Sequence, residues 1–317
     1  MERFFCANNS RELNEDIIGS ASTHKIYILI ECPTPWTEDA FNSKLVTEDL
    51  RNLVYEVKRE NIGARFLVIY NNLYQQDNVT KVIIYKIQEE LTNGYLKAEF
   101  NLQNIDNVAT AIREFLSGNS QNIELKPNLA RDILICTHGS HDKCCAKYGN
   151  PFYRKALALV SDLSLSNIRI WQASHFGGHR FAPTAIDFPE GRYYGALDED
   201  SFRYILTKKG DINCFKNVYR GWSVLPTLVQ LLERELILLH QWDWLNYKVE
   251  GKITQQNEDK SINTVELTFR KPDGTSGTYQ ADIEIDNNKI LYTKGSCNSK
   301  KESRILKYSV KNITLMS

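Results

Sequence analysis

The sequence carries no net charge, since 39 Lys and Arg balance 39 Asp and Glu. It therefore has no large field to steer it onto nucleic acid or an anionic membrane. Long apolar runs are also missing. Stretches such as Ala64–Tyr70 and Leu236–Leu239 fall far short of the roughly 20 residues that cross a bilayer. The opening residues Met1–Ser10 include Glu2, Arg3, Asn8 and Asn9, and no apolar core follows them, so no secretory signal is expected. These absences point to a soluble, cytoplasmic protein without a membrane span or a nucleic-acid partner. No C-x-x-C pair is present, which removes the usual dithiol oxidoreductase. No flavin or nicotinamide motif is present either, so two-electron chemistry would depend on a partner.

Composition is otherwise ordinary for a globular chain, with 42% hydrophobic and 25% charged residues over 317 positions, enough for about two domains. The seven cysteines, at 6, 32, 136, 144, 145, 214 and 297, are odd in number and scattered. They make no disulfide framework. Three of them fall within ten residues, Cys136 to Cys145, and that cluster needs a reason.

The chain runs twice through one pattern. Lys25–Ile30 (KIYILI) reads as a buried strand, followed by a helix within Phe41–Glu60, a strand at Arg65–Tyr70, a hairpin of Lys81–Tyr85 and Tyr95–Phe100, and a helix at Asn107–Leu116. The order repeats roughly 106 residues later: strand Asp132–Ile135, loop Cys136–Tyr148, helix Asn150–Leu163, strand Asn167–Trp171, a hairpin around Pro189–Gly191, and helix Asp198–Leu206. Both passes read β–α–β–β–β–α, the thioredoxin-like order. A helix at Leu225–His240 and alternating segments from Val265 to Val310 then suggest a small antiparallel sheet. The expected class is α/β: two tandem thioredoxin-like units, 1–120 and 121–220, the first a degenerate copy, followed by a helix and small antiparallel β region over 221–317.

In a right-handed β–α–β unit both strands end on the same sheet edge, where open α/β sheets bind ligands. Cys136 follows the first strand of the second pass, and His175 follows its partner strand. Cys145 lies nine residues past Cys136, and His179 four past His175 with Gly177–Gly178 between them. A tight turn there can aim both imidazoles at one centre. Two thiolates and two imidazoles suit iron–sulfur iron or zinc, and disfavour magnesium or calcium. Around them His138 and Asp142 read as loop-forming supports. Cys144 and Cys145 are adjacent and both cannot easily ligate one iron, so one of the two is a supporting or packed thiol. His141 reads as solvent-facing, and His24 and His240 as surface residues. Cys32 marks the equivalent loop of the first pass, which has no second cysteine.

The run C-x-H-G-x-x-D-x-x-C (Cys136, His138, Gly139, Asp142, Cys145) followed by H-x-G-G-H-x-F-A (His175 to Ala182) resembles the sucrase/ferredoxin-like family. The opening FFCANNSRELNEDIIGSA and Tyr219–Gly221 extend the likeness. The resemblance implies a thioredoxin-like ferredoxin holding a 2Fe–2S cluster, with Cys136 and Cys145 on one iron and His175 and His179 on the other. By the family spacing, Cys144 is then the supporting or packed thiol. It implies one-electron transfer to or from a redox partner that the sequence does not name, with protonation at the imidazoles coupled to reduction. The rival from another class is a structural Cys2His2 zinc site. The family name also raises sucrose hydrolysis, but no carboxylate pair stands out for a glycosidase.

Overall fold

The computed structural model describes residues 4–316 apart from 89, 120–123 and 127–129. The expected boundary between residues 120 and 121 lies outside the described residues. After a short helix α1 (Cys6–Glu12), the first pass comprises β1 (Ile26–Glu31), α2 (Glu48–Arg59), β2 (Ala64–Tyr70), β3 (Thr80–Ile87), β4 (Tyr95–Leu102) and α3 (Val108–Leu116). All six residues of β1 are buried, because it lies between parallel β2 and antiparallel β3 and is covered on both faces. Burying each such Ile or Leu contributes about 1.5–3 kcal/mol. The Thr47 side chain accepts from Leu50 N–H to cap α2, whose first turn holds Glu48 and Asp49 and whose last holds Lys58 and Arg59, matching the helix dipole. Leu50, Leu53 and Val57 form its buried face.

The second pass repeats the connectivity with β5 (Arg131–Cys136), α4 (Asn150–Asp162), β6 (Ile168–Ala173), β7 (Ala185–Phe188), β8 (Arg192–Tyr194) and α5 (Glu199–Thr207), then α6 (Phe215–Val218) and β9 (Tyr219–Trp222). In each pass the first strand is parallel to the second and antiparallel to the third. The two sets join edge to edge where β2 meets β6 antiparallel, through Ile69 opposite Ala173 and Tyr70 opposite Gln172. One nine-stranded mixed sheet results, in the order β4-β3-β1-β2-β6-β5-β7-β8-β9.

The remaining chain forms α7 (Thr227–His240), β10 (Lys248–Gln256), β11 (Ile262–Arg270), β12 (Ser276–Ile285), β13 (Leu291–Thr293), β14 (Ser303–Ile305) and β15 (Tyr308–Met316). Four of these strands make an antiparallel sheet, β10-β11-β12-β15, while β13 and β14 pair separately. β10 shows no strand signal in the sequence because seven of its nine residues are exposed and its apolar alternation is poor. The last of the alternating segments expected up to Val310 is split between β14 and β15. Val229, Leu232 and Leu236 of α7 share one core with Val265 and Leu267 of β11. A buried pair, Arg192 Nη1 to Glu233 Oε1 at 2.6 Å, fixes α7 against β8, and Tyr219 Oη donates to the same carboxylate at 2.7 Å. His240, expected at the surface, is half-buried and stacks on Trp244. No helix among the described residues is long and apolar enough to cross a membrane.

Candidate metal centre

Cys136 closes β5, where its N–H donates to Thr184 O, and its Cα pairs in register with Ala173 at the end of β6. The loop that leaves it returns to the sheet at Gly149. A Cβ on Gly149 would sit 2.0 Å from the Cys136 carbonyl oxygen, so this close approach requires glycine. Cys145–Gly149 is a wide helical turn leading into α4, a distortion common at functional sites. It brings Cys145 back beside Cys136. His175 Nδ1 lies 3.7 Å from Cys136 Sγ and 3.6 Å from Cys145 Sγ. The three residues form one group able to hold a metal, and His175 with His179 and His141 forms an overlapping second group.

Each imidazole has a distinct set of partners. His179 Nε2–H donates to the Gly295 carbonyl at 2.7 Å, which leaves Nδ1 with the lone pair; that atom is buried and has no partner among the described residues. A lone pair held in this way is prepared for a metal. His175 stacks on His179 with ring centroids 5.1 Å apart. Burial, with the neighbouring imidazoles and Arg65 adding to it, lowers the His175 pKa to about 2, so its ring is neutral. His138 has both nitrogens engaged: Nε2–H donates to Thr37 O at 2.6 Å, and Nδ1 accepts from His175 N–H at 3.2 Å. It holds the two loops together and has no nitrogen left for a metal. His141, expected to face solvent, instead stacks on His175 at 4.0 Å while its Nδ1–H donates to Glu38 O.

The first pass supplies much of this support. Three successive carbonyls, Trp36, Thr37 and Glu38, accept from Ser140, His138 and His141 of the cysteine loop. Arg65 of β2 donates to His175 O at 2.9 Å, and Ser174 exchanges two hydrogen bonds with Val68. Cys32 sits in the core of that half, and burial pushes its thiol up to about 11. A cleft of about 830 Å3 between α2, β2 and the histidines is lined by Lys58, Arg65, His141 and His175.

The thiol pair is asymmetric. Burial opposes ionisation of Cys136, but the Cys145 thiol and backbone N–H groups of His138 and Phe176 donate to it, and its pKa falls. Cys145, the donor to that thiolate, is correspondingly raised. Buried Arg220 braces the histidine turn, its guanidinium donating to Gly177 O at 3.1 Å and Ser20 O at 2.7 Å. Asp142 Oδ1 accepts from Cys144 N–H at 2.8 Å and Oδ2 from Cys297 N–H at 3.2 Å, while His179 Nε2 lies 4.0 Å from Oδ2.

Cys144 turns to the opposite side of the loop, toward Cys6 and Cys297. Neither Cys297 nor Gly295 is marked by the sequence; the available signal is the second thiol of the adjacent pair, Cys144 beside Cys145. Pro183, just before β7, follows a cis peptide bond.

The molecule is thus a mixed α/β protein whose clustered cysteines and histidines could hold a metal. It belongs to the sucrase/ferredoxin-like family, which it matches over residues 17–221. It is similar to altered inheritance of mitochondria protein 32 of Meyerozyma guilliermondii, at 30% identity over 97 residues covering 28% of this chain and 34% of that protein. The chain therefore spans about a third of the length of the curated relative it matches. No solved structure matches it.

Proposed function

We propose that this chain is a one-electron carrier in which Cys136, Cys145, His175 and His179 hold a 2Fe–2S cluster, on two tandem thioredoxin-like units followed by a third region from about residue 221. The observation that carries the reading is the donor set. Two buried thiols face one imidazole, and beside it a second imidazole keeps a buried, unpartnered Nδ1. These residues suit the group in donor type and number. When bound, it would supply reversible one-electron chemistry at a potential raised by the two neutral ligands.

The chain's own residues then do the rest. Cys136 is readied as a thiolate by the N–H groups around it. Gly295 O fixes the proton of His179 on Nε2, and His175 borders the cleft, where its outer nitrogen can exchange a proton with solvent. Asp142 holds the loop by accepting backbone N–H groups and is not needed as a base. The electron donor or acceptor would be a separate protein, and a reducing compartment such as the cytoplasm would keep the ligating thiols reduced.

The Cys2His2 zinc reading is favoured by one measurement. A tetrahedral ion with Zn–S about 2.3 Å and Zn–N about 2.0–2.1 Å sets S···N edges of about 3.6 Å, and the two Cys–His175 distances are 3.7 and 3.6 Å. Anaerobic purification followed by absorption and electron paramagnetic resonance spectroscopy decides between them. A red-brown protein with a reduced-state signal of one spin per two irons supports the carrier. Colourless protein that contains zinc and binds no iron on reconstitution with iron and sulfide overturns it.

A further inference from the structure

Behind the histidine turn lies a second group of soft donors that the cluster reading does not use. Cys6 comes from α1, Cys144 from the cysteine loop, and Cys297 from the loop between β13 and β14. Their sulfurs form a nearly equilateral triangle, Cys6–Cys144 at 3.5 Å, Cys144–Cys297 at 3.3 Å and Cys6–Cys297 at 3.6 Å. Cys6 and Cys144 are fully buried and Cys297 is half-buried. An Asp142 carboxylate oxygen completes the group, all four ligand atoms lying within 4.8 Å of one another.

We propose that Cys6, Cys144 and Cys297 bind one thiophilic divalent cation, zinc by chemistry, with Asp142 at the fourth position. The triangle supports this over other fates of three thiols. Tetrahedral coordination with Zn–S about 2.3 Å places sulfurs about 3.8 Å apart, close to the three observed edges. A disulfide would pair two of the sulfurs and strand the third, yet no edge is set apart from the others. A four-iron cluster would spread its sulfurs over separate irons, further apart than an edge about one ion. The backbone also favours a thiolate at Cys144, where Ala7 N–H donates to its Sγ at 3.4 Å. Three thiolates buried together need a cation, and ligand binding of this type releases their protons.

Such an ion would tie together segments separated by 138, 153 and 291 residues. It would fix the loop carrying Cys297 between β13 and β14. Cys6 and Cys297 both lie outside residues 17–221, so this site is not implied by the family match.

The test is metal content of the full chain, expressed with zinc in the medium and purified anaerobically, beside Cys6→Ser, Cys297→Ser and Cys136→Ser. Wild-type protein is expected to hold one zinc per chain that the first two variants lose while keeping their iron; Cys136→Ser should do the reverse. Should both centres take zinc, content would fall from two to one in each variant. Variants that fail to fold are bypassed by titrating folded wild-type protein with a mercurial reagent. Zinc should leave in step with modification of three thiols, mapped by mass spectrometry to Cys6, Cys144 and Cys297. Zinc retained in Cys297→Ser, a disulfide within the trio, or three free thiols without zinc would each overturn the site.

Discussion

His179 reaches across to the C-terminal region, where its Nε2–H donates to the Gly295 carbonyl at 2.7 Å and leaves a buried Nδ1 open. Its neighbour His141 also donates one N–H to a carbonyl, Glu38 O, but it stacks outside His175 and is partly exposed. The two imidazoles therefore give opposite expectations. His179→Ala should lose bound iron, with occupancy down at least about tenfold, as removal of a metal ligand or its direct support does. His141→Ala should keep iron near the wild-type level. Iron per chain by colorimetric assay reads both, and equal loss in the two variants would show that His141 ligates.

The same argument extends to potential. In the proposed cluster, His179→Cys would replace a neutral ligand by a thiolate and add negative charge to the centre. The spread between His-ligated and all-cysteine clusters is several hundred mV. The substitution should therefore lower the potential by on the order of 100 mV or more, measured by redox titration followed optically. An unchanged potential would remove His179 from the ligand set.

The repeat was legible because each pass opens on a short apolar run, KIYILI or DILI, and each is followed by helical spacing and a hairpin. The junction was not. β2 and β6 meet through only two residue pairs, and nothing in RFLVIY or NIRIWQA distinguishes an edge that will pair with another unit from any buried strand. Cys136, Cys145, His175 and His179 could be picked out because a crossover and two short loops bring them to one sheet edge. Cys6 and Cys297 could not, since contacts over 138 and 153 residues to Cys144 leave no spacing to read. Carbonyls such as Gly295 O and Thr37 O are invisible to side-chain reasoning altogether.

Asp132 is buried where donors of both passes converge, and it accepts from Lys97 Nζ at 2.7 Å, Arg169 Nε at 2.7 Å, Trp171 Nε1 at 2.7 Å and the Tyr85 hydroxyl. Asp132→Ala would leave Lys97, itself 3% exposed, without its closest carboxylate. Breaking a buried pair costs up to about 3–5 kcal/mol, less here because Glu99 still faces Lys97 at 2.9 Å, and urea unfolding should show the loss. Burial raises the Asp132 pKa, but Arg169 and Lys97 outweigh it and the net shift is downward; Glu99 shifts the same way. A depressed carboxylate stabilises the fold above its unfolded pKa of about 3.9 and loses that contribution as pH falls through the folded value. Wild-type stability should therefore drop steeply below about pH 4, and Asp132→Asn should flatten that part of the curve.

Gly177 and Gly178 both have positive φ, +95° and +79°, so alanine at either position is strained by about 1 kcal/mol or more. Their surroundings differ. A Cβ on Gly177 meets nothing within 4 Å, whereas one on Gly178 would lie 2.5 Å from the Arg220 guanidinium. That guanidinium cannot move freely, because Ser20 O, Ser20 Oγ and Gly177 O each accept from it. Gly178→Ala must push a buried cation off at least one acceptor, and a buried polar group left unpaired costs about 1–3 kcal/mol. Because the displaced group braces the turn that begins at His179, metal retention should suffer along with stability. Gly178→Ala should thus unfold at lower denaturant than Gly177→Ala and hold less metal, while Gly177→Ala stays near wild type in metal content. If the two alanines behave alike, Arg220 does not position the histidine turn, and the strain of the backbone alone accounts for both glycines.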